Sequence, residues 1–199
     1  MRLSRGILQC MGSINPPQPV LRLVPIVSRY DEALTWARGK IEAEWGPHAL
    51  VSDAFAFHDT DYYDAEMGTE LKKQFVCSAA LANPGELAEV KHLTNAWEAE
   101  YAAAADHAEP RPLNLDPGYI AESKLVLAST KNHSHRIYLS RGIFAEITLG
   151  YSRTAGWKSM PWTYPDYQRA DFQQFFTTAR GYLRQALRSR PPGEELAID

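Results

Sequence analysis

Four short segments concentrate the side chains able to hold an ion, move a proton or grip an anion. Asp59-Thr60-Asp61-Tyr62-Tyr63 sets two carboxylates close together in a polar loop. Such oxygens suit Mg²⁺, which keeps several waters and needs only one or two carboxylates. The same spacing also suits aspartates that cap turns beside outward-facing tyrosines. His133-Ser134-His135-Arg136 runs into a strand pattern, which would put both imidazoles on one face like paired metal ligands. A third ligand would come from Asp59, Asp61, Asp116 or Glu146. His135, whose ring titrates near neutrality when unperturbed, equally suits acid–base work. Ordinary hydrogen bonds to backbone would also account for both histidines.

Asp116-Pro117-Gly118-Tyr119 reads as a rigid turn holding a carboxylate, with Lys131 and Arg136 beside it as an anion-binding pair. Trp162-Thr163-Tyr164-Pro165-Asp166-Tyr167 reads as an aromatic flap that stacks on a planar ring or braces the last helix. The candidate catalytic groups are therefore Asp59, Asp61, Asp116, His135 and Glu146. The candidate ligand-binding groups are Tyr63, Tyr119, Lys131, Arg136, Trp162 and Tyr164. A divalent metal, the one cofactor these residues suggest, would fall to Asp59, Asp61, His133 and His135.

Several function classes find no support. No G-x-x-x-x-G-K-[ST] or G-x-G-x-x-G stretch occurs, so the loop that cradles nucleotide phosphates is missing. His58-Asp59-Thr60 resembles half of a two-histidine phosphoesterase site, but the second His-x-Thr triplet is absent, since His133-Ser134 is followed by His135. A formal charge of -3 leaves no footprint for bulk binding to nucleic acid. The stripe Arg180, Arg184 and Arg188 is explained by the favourable placing of cations at a helix C-terminus. Cys10 and Cys77 are too few for a disulfide framework and are read as reduced thiols of a cytoplasmic protein. The apolar pair Ile7-Leu8 is too short for an export signal, and no stretch approaches a membrane span.

The elements that must position these groups follow from periodicity. Residues 20–27 form an apolar strand, and Ser28 with Asp31 reads as a capping box for a helix stopped by Gly46-Pro47. Residues 50–57 and 71–79 read as strands. Asn83-Pro84-Gly85-Glu86 starts a second helix whose stripe is Leu87, Val90, Thr94, Trp97 and Tyr101. After Leu113-Asn114-Leu115 the order is β-α-β-β-α-β, the split arrangement of ferredoxin-like folds. Residues 123–131 are ambiguous between short helix and buried strand, and helix is preferred. A hairpin turns at Arg141-Gly142, a further meander strand follows Gly156, and Phe172, Phe175, Phe176, Ala179 and Leu183 mark a terminal helix. The expected class is α+β, a ferredoxin-like core with an added C-terminal hairpin or meander and a final helix. Residues 1–18 read as a disordered leader, with Met1 or Met11 as the start, 19–189 as one domain and 190–199 as a flexible tail.

Six blocks, DTDYYDAEMG, LNLDPGY, KLVLASTK, HRIYL, AEITL and WTYPDY, resemble in order the signature blocks of an uncharacterised bacterial domain family. With the strand near 20–27, they span nearly the whole chain from Pro19 to Arg188. The resemblance implies a domain of unknown function with no established substrate. Some members carry an automatic label as GTP-binding proteins, which the missing phosphate loop gives no reason to transfer. Two readings follow from the residues. One is a small-anion site, phosphorylated or nucleotide-like, that binds or hydrolyses its ligand with a metal's help. The other is a non-catalytic module that recognises protein or nucleic acid through an aromatic and basic surface. Oligomeric state is not legible.

Overall fold

Apolar residues on both parities of Val20–Ser28 (β1), broken only by Arg22 and the closing Ser28, demand cover on both faces of the sheet, because successive side chains point opposite ways. The computed structural model, which describes residues 16–59 and 64–190, supplies it: all of β1 is buried. Leu21 and Leu23 face one cluster, Val24 and Ile26 the other. The leader and the tail expected from the sequence lie outside the described residues but for Pro16, Pro17, Gln18 and Arg190.

Asp31–Trp45 (α1) follows β1. Ser28 does not cap it; Tyr30 holds the cap position without a side-chain bond. The Ser28 hydroxyl instead donates to Pro112 O at 2.6 Å and accepts from Tyr30 N. The expected strand over 50–57 is divided into His48–Val51 (β2) and Phe55–Ala56 (β3). Ser52 causes the break, since its backbone and hydroxyl meet Phe75 O and Phe75 N in place of a ladder rung. The short helix Asp64–Met67 (α2) precedes Lys72–Ala82 (β4). Asn83 caps the next turn through Gly85 N, as its type predicts, and Leu87–Ala104 (α3) buries Leu87, Val90, Thr94, Trp97 and Tyr101.

The chain then returns along β1 as Asn114–Leu115 (β5) and Gly118–Ile120 (β6). Both pair with β1 in one continuous register, Leu115 opposite Ile26 and Gly118 opposite Leu23. Asp116-Pro117 is thus extended chain and not the expected turn. Pro117 has no N–H to give, which interrupts the ladder without reversing the chain. Lys124–Ser129 (β7) is a strand as well, where a helix was expected. Four consecutive apolar residues fit either period, and pairing on both edges with β6 and with Ile143–Ser152 (β9) decides the matter. Ile137–Ser140 (β8) pairs with β9 across Arg141 (φ 50°) and Gly142 (φ 80°), the two positive angles of a tight hairpin. Gly156–Ser159 (β10) completes a ten-stranded antiparallel sheet among the described residues, ordered β10-β9-β7-β6-β1-β4-β2.

The final helix, Ala170–Ser189 (α4), packs Phe172, Phe176, Ala179 and Leu183 on the face opposite α1 and α3. The class is α+β, and no described helix is long and apolar enough to cross a membrane. The arginine stripe of α4 is largely used internally: Arg180 donates to Glu122 O and lies over Tyr151, and Arg184 pairs with Glu122. Cys77 is fully buried, and burial pushes its thiol well above the usual range. We expect Cys77 to stay unalkylated by iodoacetamide in the native protein and to react in denaturant, read by peptide mapping. Labelling of native Cys77 at the rate of a free thiol contradicts this packing.

Candidate functional site

The site opens where two neighbouring strands part. β6 is laddered to β7 from Ile120–Leu125 to Gly118–Leu127, and Ala128 N still reaches Pro117 O. Beyond that rung β5 stays with β1 while β7 stays with β9. The gap between them is a cleft of about 610 Å³, the size of a small-molecule site.

Three ion pairs, two fully buried and one partly so, converge on this cleft. On β4, Lys73 donates to Asp166 at 2.6 Å, both side chains being 6% exposed or less. On α3, Lys91 donates to Leu115 O at 2.7 Å and to Asp116 at 3.2 Å, with Glu98 at 3.9 Å. Arg136 donates through Nε to Glu146 at 2.7 Å, again with both side chains almost fully covered. Buried ion pairs are poor sources of stability, since desolvation offsets their attraction. Three ion pairs around one cavity, two of them fully buried, therefore suggest a site and not a fold-holding device.

A hydrogen-bonded chain joins the acids of the back wall. Glu98 accepts from Leu115 N at 2.8 Å and from Arg111 at 3.1 Å; Arg111 also donates to Asn114, whose amide donates to Asp116 at 2.7 Å. The environment drives the two carboxyls apart. Burial pushes the Glu98 carboxyl up, over the opposing pull of Lys91 and Arg111. Burial pushes Asp116 the same way, but Lys91, the Asn114 amide and Lys73 outweigh it and hold Asp116 below the ordinary carboxylate range. Divergence of this kind separates acid from base roles in active sites. For Glu98, the raised folded value means that the native state binds the extra proton. Its contribution is therefore fully present below the usual value near 4.5 and is lost as pH rises through the raised value. Glu98→Gln is expected to remove that descending limb from a plot of melting temperature against pH. An unchanged limb in the variant contradicts the assignment.

The structure gathers Asp59, Asp116, Lys131, His133, Arg136, Glu146 and Tyr164 into this one cleft. Asp59 is held by Arg169 at 3.2 Å. Tyr164 accepts from Arg136 at 2.7 Å, and burial pushes its hydroxyl's pKa up, aided by Glu146 and Asp116. Asp61 and Tyr63 lie outside the described residues. Tyr119 is elsewhere, beside Arg22 and Glu86 in a crevice of about 10 Å³. Trp162 and His135 stand next to the cleft without lining it. The His135 ring is bonded to Glu146 at 3.0 Å and stacked on Trp162 at 5.1 Å and on His133 at 5.8 Å. The two histidines belong to a turn closed by Arg136 N on His133 O, not to a strand. Among the described residues no three His, Cys, Asp or Glu side chains meet as a metal requires.

Residues 18–182 match the family model of a domain of unknown function, DUF4416. The chain belongs to this family. Neither the curated proteins nor the solved structures offer a match. The matched segment takes in every DUF4416 residue that lines the cleft, from Phe57 to Tyr167. Five charged lining residues escaped the sequence reading: Lys73, Lys91, Glu98, Arg111 and Asp166. Two signals would have found most of them. Lys73 shares strand parity with Phe75 and Cys77, so it sits at a core position where alternation demands an apolar side chain. Lys91, Asn95 and Glu98 recur at helical spacing, a polar stripe beside the apolar stripe of α3. Arg111 and Asp166 lie in segments without a period and gave no such sign.

Proposed function

We propose that the cleft binds, and on the strength of its divergent carboxyls turns over, a small anionic molecule, with phosphorylated or nucleotide-like compounds as the expected class. The observation that carries this reading is the convergence of three ion pairs, two of them fully buried, on one cavity of ligand size. Five acidic lining residues, Asp59, Glu98, Asp116, Glu146 and Asp166, balance five basic ones, which favours a ligand of few charges. Glu98, with its raised pKa, would serve as proton donor and Asp116 as the ionised partner. The recognition rests first on the lysine and arginine side chains that line the cleft. The strand order β6-β1-β4-β2, with α1 and α3 crossing on one face, supports a ferredoxin-like core as the scaffold. We place this activity in the cytoplasm, and the net charge of -3 disfavours nucleic acid as the partner.

A thermal-shift screen of nucleotides, sugar phosphates, inorganic phosphate and divalent metals tests the reading. At about 100 times its dissociation constant a true ligand adds roughly 2.7 kcal/mol. One observation favours a different reading, recognition of a protein: Ile137 and Tyr138 on the edge strand β8 are 72% and 58% exposed, near exposed Trp162. No shift with any compound of the screen would select that reading over the cleft.

A further inference from the structure

We propose that Lys73 is the residue that anchors the ligand, through an oxyanion carried on a flat ring. This rests on the small-molecule reading above and names the group and the ligand chemistry that it requires.

Most cationic donors around the cleft are already committed within the fold. Lys91 directs its ammonium at three acceptors, Leu115 O, Asp116 and Glu98. Arg136 gives Nε to Glu146, one terminal nitrogen to Ser129 and Lys131 O, and the other to Tyr164. Arg111 is held by Glu98 and Asn114. Lys131 and His133 are exposed at the rim, where water competes for an anion. Lys73 differs from all of these. An ammonium has three N–H donors, and among the described residues Lys73 makes one hydrogen bond, to Asp166. It is 5% exposed yet lines the cleft, so an ammonium with two donors not hydrogen-bonded within the fold borders the cavity at a site of low dielectric.

Its surroundings indicate what the anion is attached to. The Lys73 ammonium lies 4.5 Å from the Tyr167 ring centre and 4.9 Å from that of Phe57. Both rings line the cleft, as does Tyr164. An oxyanion on Lys73 therefore places the atoms next to it between aromatic walls, where a flat ring stacks well. Across the cleft the Asn95 amide makes no hydrogen bond among the described residues and is available to a polar ring edge. Asp166 is the counter-ion that the fold itself gives to Lys73, and it competes with the ligand for the same ammonium.

This competition gives the test opposite signs. Phenyl phosphate and benzoate, a phosphate and a carboxylate on the same ring, are titrated against the full chain by thermal shift, and the stronger arm identifies the oxyanion. The Lys73→Met/Asp166→Asn double variant removes the pair without leaving a lone buried charge. It is expected to lose roughly ten- to hundredfold in apparent affinity, the worth of a hydrogen bond to a charged group. Asp166→Asn alone frees the ammonium and is expected to bind the probe several times more tightly, an effect that a merely structural pair would not produce. Lys158→Met, on the exposed face of β10 and outside the cleft, is expected to stay within about threefold of the wild type, as exposed charges contribute little. Wild-type affinity in the double variant, or weaker binding in Asp166→Asn with its fold intact by circular dichroism, overturns the proposal. If neither probe shifts the wild type while another compound of the wider screen does, the ring-borne oxyanion falls and the cleft reading stands. If no compound shifts it, the cleft reading itself falls.

Discussion

Glu146→Ala is expected to destabilise the protein by about 3–5 kcal/mol, the cost of breaking a buried ion pair from one side. The Glu146 carboxylate accepts from Arg136 Nε at 2.7 Å, from His135 at 3.0 Å and from Thr148 at 3.3 Å, and only 3% of the residue is exposed. Alanine would leave the Arg136 guanidinium covered and without its counter-ion. That guanidinium also holds Tyr164, Ser129 and Lys131 O, so the rim of the cleft would loosen together with the fold. Urea denaturation checks the prediction: the midpoint should fall while the slope stays the same. Glu146→Gln preserves shape and one acceptor and should cost less. A Glu146→Ala midpoint within error of the wild type would show that Arg136 finds other partners.

Gly118→Ala is expected to cost about 3 kcal/mol, at the upper end of overpacking effects, although it adds a single methyl group. A Cβ at Gly118 would stand 2.1 Å from Val126 O and 2.7 Å from Leu127 Cδ2. The first of these is backbone and cannot turn aside. Gly118 also sits on the last rung before β6 and β7 part, opposite Leu127, so pushing the strands apart there widens the cleft from its closed end. Thermal unfolding measures the loss. Gly181→Ala, where nothing lies within 4 Å of the added carbon, is the control and should be neutral or slightly stabilising.

Legibility along the chain tracked how local the deciding interaction was. α3 could be read directly because its cap, Asn83, and its buried stripe are all written within one stretch. The Arg141-Gly142 hairpin was legible for the same reason. β7 is not legible in the same way because Leu125 to Ala128 satisfy both periods, and only the ladders to β6 and β9 separate them. Asp116-Pro117-Gly118 has the composition of a turn, yet the chain stays extended because β1 lies alongside with an open edge. Ser28 has the composition of a cap, but the carbonyl of Pro112, 84 residues away, takes its hydroxyl.

The candidate site divides along the same line. By itself the sequence determined the α+β class, the missing phosphate loop and the segments that bring Asp59, Asp116, Lys131, Arg136, Glu146 and Tyr164 to the cleft. Those are properties of residue type and short-range spacing. Only the tertiary structure decided which charges are already matched and which still face a cavity. Lys73 and Asp166 are 93 residues apart and meet at 2.6 Å, Arg22 and Glu86 are 64 apart and meet at 2.8 Å, and no periodicity encodes either pairing. An ion pair depends on distance and dielectric, both set when β4, α3, β7 and the turn before α4 close around the cleft. That closure places Lys73, which in the sequence is only a lysine out of pattern in a strand, at its centre.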